Sequence, residues 1–154
     1  QRSAATWGQF VFAEHCFFHF LTVARRIAHT GRRDRGRLQR DLNKKLKLMK
    51  KWASYCPENF AHKQFLMEAE MARIKDEGSK AQCIYEQAVA SAREAEFPLN
   101  AALGSELAGR FELERSRENE AETWLRTARE GYAKWGAHAK VEAMDQEFKR
   151  FRFS

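Results

Sequence analysis

Glu14, His15 and His19 place a carboxylate and two imidazoles within two turns of sequence, and Cys56 stands six residues before His62. These residue types bind metals or attack carbonyls, so any chemistry in the chain starts with them. His15 and His19 are spaced i,i+4 and share one helix face. A metal centre needs three or four ligands, and no third ligand stands at motif spacing. Glu14 precedes the pair instead of lying inside it, so the His-Glu-x-x-His pattern of zinc hydrolases is absent. Packed or surface histidines are the expectation. Cys56 and His62 fall on adjacent turns at a helix start, where a thiolate is favoured. Nothing in the pattern supplies an orienting acid or an oxyanion hole. The segment reads instead as a structural corner: Trp52 precedes it, Pro57 stops one helix, Glu58 and Asn59 favour the start of the next, and Phe60 staples it. The expectation is no catalytic residue, no metal and no cofactor.

The charge pattern says more. The net charge of +7 is concentrated between Arg25 and Lys51, where twelve Arg/Lys and two Asp give +10. Subtracting those from the totals of 28 and 21 leaves sixteen basic and nineteen acidic residues, a net of −3. The candidate basic interaction surface is Arg32, Arg33, Arg35, Arg37, Arg40, Lys44, Lys45, Lys47, Lys50 and Lys51. Three readings stand open: a solvated face, a surface for an acidic partner, or a nucleic-acid-binding helical module. No recognition-helix pattern, zinc framework or stacking-aromatic arrangement accompanies the run. Nonspecific attraction to polyanions follows from the charge alone.

A chain of 154 residues suits one domain with a core of its own, and twelve Phe and four Trp supply large packing side chains. Three distant cysteines, Cys16, Cys56 and Cys83, form neither a disulfide framework nor a Cys-x-x-Cys site, and read as buried free thiols in a reducing, cytoplasmic setting. Glu14, His15 and His19 interrupt the aromatic N-terminal stretch before it reaches transmembrane length, and no signal peptide is visible. The chain opens on Gln1 in place of methionine, as a trimmed or excised piece would.

Helical periodicity places seven elements around these residues. Helix 1 runs from about Thr6 to His29 with Trp7, Phe10, Val11, Phe17, Phe18, Leu21, Ala24 and Ala28 on its apolar face, widened by Phe12 and Phe20. So wide a face predicts a second neighbour, most simply self-association through this helix. Thr30 to Gly36 reads as a loop. Helix 2, about Arg37 to Ser54, carries Leu38, Leu42, Leu46, Met49 and Trp52 or Ala53. Asn59 is the expected cap of helix 3, with Phe60, Phe65, Leu66, Ala69, Ala72 and Arg73, and Ser79 that of helix 4, with Ala81, Ile84, Tyr85, Ala88 and Ala92. Helix 5 begins at Pro98, helix 6 near Glu118, and the last helix spans Ala137 to about Phe151. The series Ala69, Ala72, Ala81, Tyr85, Ala88, Ala92 returns as Ala108, Phe111, Ala121, Leu125, Ala128, Tyr132, offset by thirty-nine residues in the first helix and forty in the second. Such an offset predicts stacked antiparallel hairpins. The expected fold is therefore all-α, a right-handed tetratricopeptide-like module in one domain. Residues 1–57 supply two helices with a basic linker, 58–97 and 98–136 two repeat-like hairpins, and 137–154 a terminal helix. Gly136 is the expected left-handed C-cap between helices 6 and 7, with Trp135 packed over the joint.

The blocks Trp52-Ala-x-x-Cys56-Pro57-Glu58-Asn59-Phe60-x-His62-Lys63, Ala69-Glu70-x-Ala72-Arg73, Tyr85-x-x-Ala88, Glu106-Leu107-Ala108 and Tyr132-Ala-Lys-Trp135-Gly136-Ala137-x-Ala139-Lys140-Val141 resemble a region of very large signalling proteins. Those proteins carry a serine/threonine-kinase-like domain, an AAA-type predictive ATPase, a long tetratricopeptide-like array, a GAF domain and a hybrid sensor histidine kinase of two-component systems. The similarity covers residues 45–145 and is to the C-terminal end of the array. It implies helical-repeat packing, no enzymatic activity in this segment, and a role in interaction and signal relay. The implied partners are other domains of the same chain or a signalling protein. The arginine-rich stretch from Gly31 to Arg37 departs from the family pattern.

Overall fold

Ala, Leu, Glu, Arg and Lys dominate the chain and turn residues are few, which favours helix nearly throughout. The computed structural model describes residues 2–151 and 153, with side chains from residue 10 onward, and among these no strand occurs. Seven α-helices follow in order: α1 (Arg2–Arg26), continued by a 3-10 turn (Ile27–His29), α2 (Arg32–Tyr55), α3 (Pro57–Ile74), α4 (Gly78–Glu94), α5 (Pro98–Glu114), α6 (Glu118–Trp135) and α7 (His138–Glu147). Trp7, expected on the first apolar face, lies outside the described side chains.

The turns after α3, α4, α5 and α6 are one device used four times. Asp76, Glu96, Ser116 and Gly136 all have positive φ (59°, 60°, 58° and 82°), and each stands twenty residues after the last. In every case the next residue's N–H reaches back to a carbonyl five residues earlier: Glu77 to Ala72, Phe97 to Ala92, Arg117 to Glu112 and Ala137 to Tyr132. This is the Schellman closure of a helix. The same residue then accepts the first bond of the following helix, from Ala81, Ala101, Ala121 and Val141 respectively. One residue thus ends one helix and opens the next. Because Asp76 to Ser116 and Glu96 to Gly136 are each forty residues, both helices of the hairpin repeat at forty. The thirty-nine-residue offset expected for the first helix is corrected accordingly.

Side-chain bridges fix how the helices lie. Glu14 and Ala24 of α1 meet Lys63 and Arg73 of α3, in the same order along both helices. His62 and Arg73 of α3 meet Asn100 and Glu114 of α5 in the same sense. Glu106 and Arg110 of α5 meet Lys140 and Glu147 of α7. The four odd-numbered helices therefore run parallel. Within the hairpins, α5 runs antiparallel to α6, since Ala102 lies against Gly131 while Gly109 lies against Leu125 and Ala121, and the short turn after α3 folds α4 back on it, where Tyr85 bonds Glu70. The approach of α6 to α5 depends on Gly109, where a Cβ would lie 2.7 Å from Leu125 Cγ and 3.2 Å from the Ala121 carbonyl.

The core divides into two clusters. One gathers Phe17, Phe20, Leu42, Met49, Leu66, Met67, Tyr85 and Phe111 from α1 to α5. The other gathers Ala102, Leu125, Ala128, Tyr132, Met144, Phe148 and Phe151 from α5 to the C-terminal turn.

Several expectations change. The stretch from Arg32 to Gly36 is not a loop but the first turns of α2, since the Gly31 carbonyl accepts from Asp34 and Arg35 and Asp34 favours a helix start. Helix α3 begins at Pro57, so Asn59 is no cap; Cys56 precedes the helix and Asn59 donates to its sulfur at 3.0 Å. Likewise α4 starts at Gly78 with Glu77 before it, and Ser79 makes no cap bond. The buried stripe of α1 is Ala13, Cys16, Phe17, Phe20 and Ala24, continued by Ile27 of the 3-10 turn, whereas Phe10, Val11, Phe12 and Phe18 are exposed, as is Ala28 on that turn. Helix α7 stops at Glu147, after which Phe148 and Phe151 fold into the second cluster.

Candidate functional site

Two surfaces bring together the residues able to recognise a partner. The first is an open cleft of about 390 Å³ between α1, the start of α3, the turn into α5 and the end of α6. Phe10, Glu14, Lys63, Phe97, Asn100 and Trp135 line it. Lys63 is 1% exposed; its Nζ lies 2.5 Å from Glu14 Oε1 and 5.1–5.7 Å from the rings of Phe10, Phe60 and Phe97. A cation enclosed by three ring faces and a carboxylate is held by the fold. Beside it His62 stacks on Phe97 at 4.5 Å, and its Nε2 lies 2.9 Å from Asn100 Nδ2. Burial, reinforced by the neighbouring Lys63 charge, pushes the His62 pKa down to about 4. Its Nδ1 is buried without a hydrogen-bond partner.

Further along the odd-numbered helices the buried carboxylates are engaged in the same way. Glu70 accepts from Tyr85 at 2.5 Å and from Arg73 at 2.7 Å, and Arg73 also donates to the Ala24 carbonyl and to Glu114. Glu106 accepts from Tyr132, Arg110 and Lys140 at 2.8–3.0 Å. Burial alone would raise the Glu106 pKa, yet these donors hold it below the ordinary carboxylate value. Burial and the adjacent carboxylate push Tyr85 and Tyr132 upward, so both phenols stay protonated as donors.

The second surface is the solvent side of α2. Arg32, Arg33, Arg35, Arg37, Arg40, Lys44, Lys47, Lys50 and Lys51 are exposed and Lys45 is half-buried. Lys45 pairs with Asp41 at 3.1 Å, Lys50 with Glu68 at 2.6 Å, and Arg37 reaches Asp34 only at 4.0 Å. Among the described residues the other seven have no carboxylate within 4.0 Å.

The remaining residues singled out by sequence scatter. His15 and His19 are both exposed, their rings 6.0 Å apart, and no group of three metal-ligating side chains occurs among the described residues. Cys56 takes Glu58 and Asn59 as partners, while His62 turns to Asn100, so the structure does not join them as nucleophile and base. The bond to Glu58, with some burial, raises the Cys56 pKa, the opposite of an activated thiolate. Only Cys16 of the three thiols is buried; Cys56 is half-buried and Cys83 exposed, which corrects the expectation for both. Trp52 packs edge-on to Phe12 and near Phe60. Gly136 is the left-handed cap of α6, but Trp135 is 55% exposed at the cleft mouth and does not cover the joint. The Glu14–Lys63 and Glu–Tyr bridges were missed. Their one sequence signal is a charge at an inward position, as Glu70 stands between Ala69 and Ala72.

No helix among the described residues is long and apolar enough to cross a membrane. No protein-family model, curated protein or solved structure matches the chain.

Proposed function

We propose that the chain is a non-catalytic interaction and signal-relay scaffold, a right-handed tetratricopeptide-like segment of a larger sensor-kinase protein that positions neighbouring domains. The supporting observation is the use of its buried ionisable groups. Lys63, Glu70 and Glu106 bridge one helix to another, α1 to α3, α3 to α4, and α5 to α6 and α7, instead of converging on a reaction pocket. Such bridges couple successive hairpins mechanically and leave the outer faces free to meet other domains. The basic face of α2 favours one competing reading, a nucleic-acid-binding module. Fluorescence anisotropy with DNA, RNA and heparin separates the two. A scaffold attracts all three comparably, with affinity falling steeply between about 50 and 200 mM salt as counterions are released. Sub-micromolar binding to one nucleic acid at about 150 mM salt, preferred over heparin and over scrambled sequence, replaces the scaffold by the nucleic-acid reading.

A further inference from the structure

Six of the cations on α2 stand in one file. Arg33, Arg37, Arg40, Lys44, Lys47 and Lys51 follow at intervals of four, three, four, three and four residues, and all six are exposed. At 3.6 residues per turn this spacing keeps them on one side of the helix, opposite Leu42 and Met49 in the core, over about 27 Å. The repeat architecture does not require this. The corresponding outward row of α4 reads Ser79, Cys83, Glu86, Ala90, and that of α6 reads Asn119, Thr123, Arg126, Glu130. Helix α2 is also longer than the others of the twenty-residue frame, 24 residues against 17 in α4 and 18 in α6, and its added N-terminal turns carry Arg33 and Arg37.

We propose that this file is a docking surface for an acidic α-helix of a partner domain or protein, one with Glu or Asp repeating every three or four residues along one side. The inference rests on the scaffold reading. Its warrant is a match of shape as well as of charge. Successive cations lie about 5 Å apart along a straight axis, the rise of one helical turn, so a second helix laid alongside offers a carboxylate to each. A duplex does not. Over about 27 Å each strand winds through most of a turn and leaves a straight row after a few phosphates. An anionic membrane would meet charges alone, since the apolar residues that surface helices insert into lipid are here the ones in the core.

The test uses two labelled helical peptides of about 21 residues and identical composition, one with its glutamates in a single file and one with them spread around the helix. Anisotropy at about 150 mM salt should show the filed peptide binding about tenfold more tightly or better. Arg40→Gln/Lys44→Gln/Lys47→Gln should remove that preference. Arg32→Gln/Arg35→Gln/Lys50→Gln, which removes the same formal charge from positions outside the file, should keep it. Equal affinity for the two peptides overturns the proposal, and so does an equal loss in the two triple variants. Tighter binding to a duplex of about 20 base pairs, or to phosphatidylserine vesicles, overturns it as well. Of these outcomes, only sequence-preferring nucleic-acid binding also removes the scaffold reading; weak, indifferent binding to every probe leaves it standing.

Discussion

His62 is enclosed on the α3–α5 side, stacked on Phe97, with Asn100 on one ring nitrogen and nothing on the other. Its pKa near 4 lies below the ordinary 6.5, so between those values the unfolded chain binds a proton that the folded chain refuses. Its contribution is fully present above about pH 6.5 and is lost as pH falls towards 4. Urea midpoints at pH 7, 5.5 and 4.5 should therefore drop more steeply for the parent protein than for His62→Gln; parallel profiles would mean the imidazole is solvated. Backbone conformation at single residues gives a second expectation. Nothing lies within 4 Å of a Cβ built on Gly136, so Gly136→Val acts through φ alone and should cost about 1–2 kcal/mol. Glu96, at φ 60°, is the inverse case: Glu96→Gly should raise stability by a few tenths of a kcal/mol, relief of strain exceeding the added chain entropy. Thermal melts of both variants check the opposite signs. Gly136 was legible in the sequence because glycine after a helix announces a left-handed cap. Asp76, Glu96 and Ser116 adopt the same backbone with side chains that announce nothing, which is why the twenty-residue frame emerged only from the structure.

Helix pairs show a comparable division between what pattern reveals and what it hides. The stripes Leu38, Leu42, Met49 on α2 and Ala121, Leu125, Ala128, Tyr132 on α6 face a single side and were readable from their spacing. Helix α3 is different. It buries His62, Lys63, Leu66, Met67, Ala69, Glu70, Met71 and Ala72, because it lies between α1, α2, α4 and α5, and a helix enclosed on most sides has no polar face to define its period. Lys63 is the consequence: it took Glu14, forty-nine residues earlier, to make a lysine tolerable there, and no spacing rule reaches that far. The two partners should respond unequally to substitution. Lys63→Met leaves Glu14 with access to solvent and puts a flexible apolar chain among Phe10, Phe60 and Phe97, so stability should change by less than about 1 kcal/mol. Glu14→Ala leaves a buried ammonium with ring faces and the Asn59 carbonyl but no counter-charge, and should cost about 3 kcal/mol. Chemical denaturation of the two variants decides; equal losses would show that the pair contributes through packing alone.

Across the whole molecule the two clusters set how the array comes apart. Helix α5 belongs to both, with Ala108 and Phe111 in the first and Ala102 in the second, so it is the joint between a body of α1 to α4 and an end formed by α6, α7 and the C-terminal turn. In an array where each unit touches only its neighbours, stability is a sum of local terms, and the end can open without the body. The end is held by Phe148 and Phe151 in the cluster, by Arg110 stacked over Phe148 and paired with Glu147, and by Arg129 on Asp145 at 2.6 Å. Phe148→Ala removes a side chain that is 5% exposed and should cost about 3 kcal/mol. The loss should not spread evenly. Amide hydrogen exchange should quicken through α7 and the last turns of α6, near Tyr132, while α3 and α4 around Leu66, Met67 and Tyr85 keep their protection. That pattern is what the proposed relay role requires, since an end that loosens independently could report a partner's arrival while the body keeps its shape. Uniform quickening across the described helices would instead show one cooperative unit and count against the proposed relay.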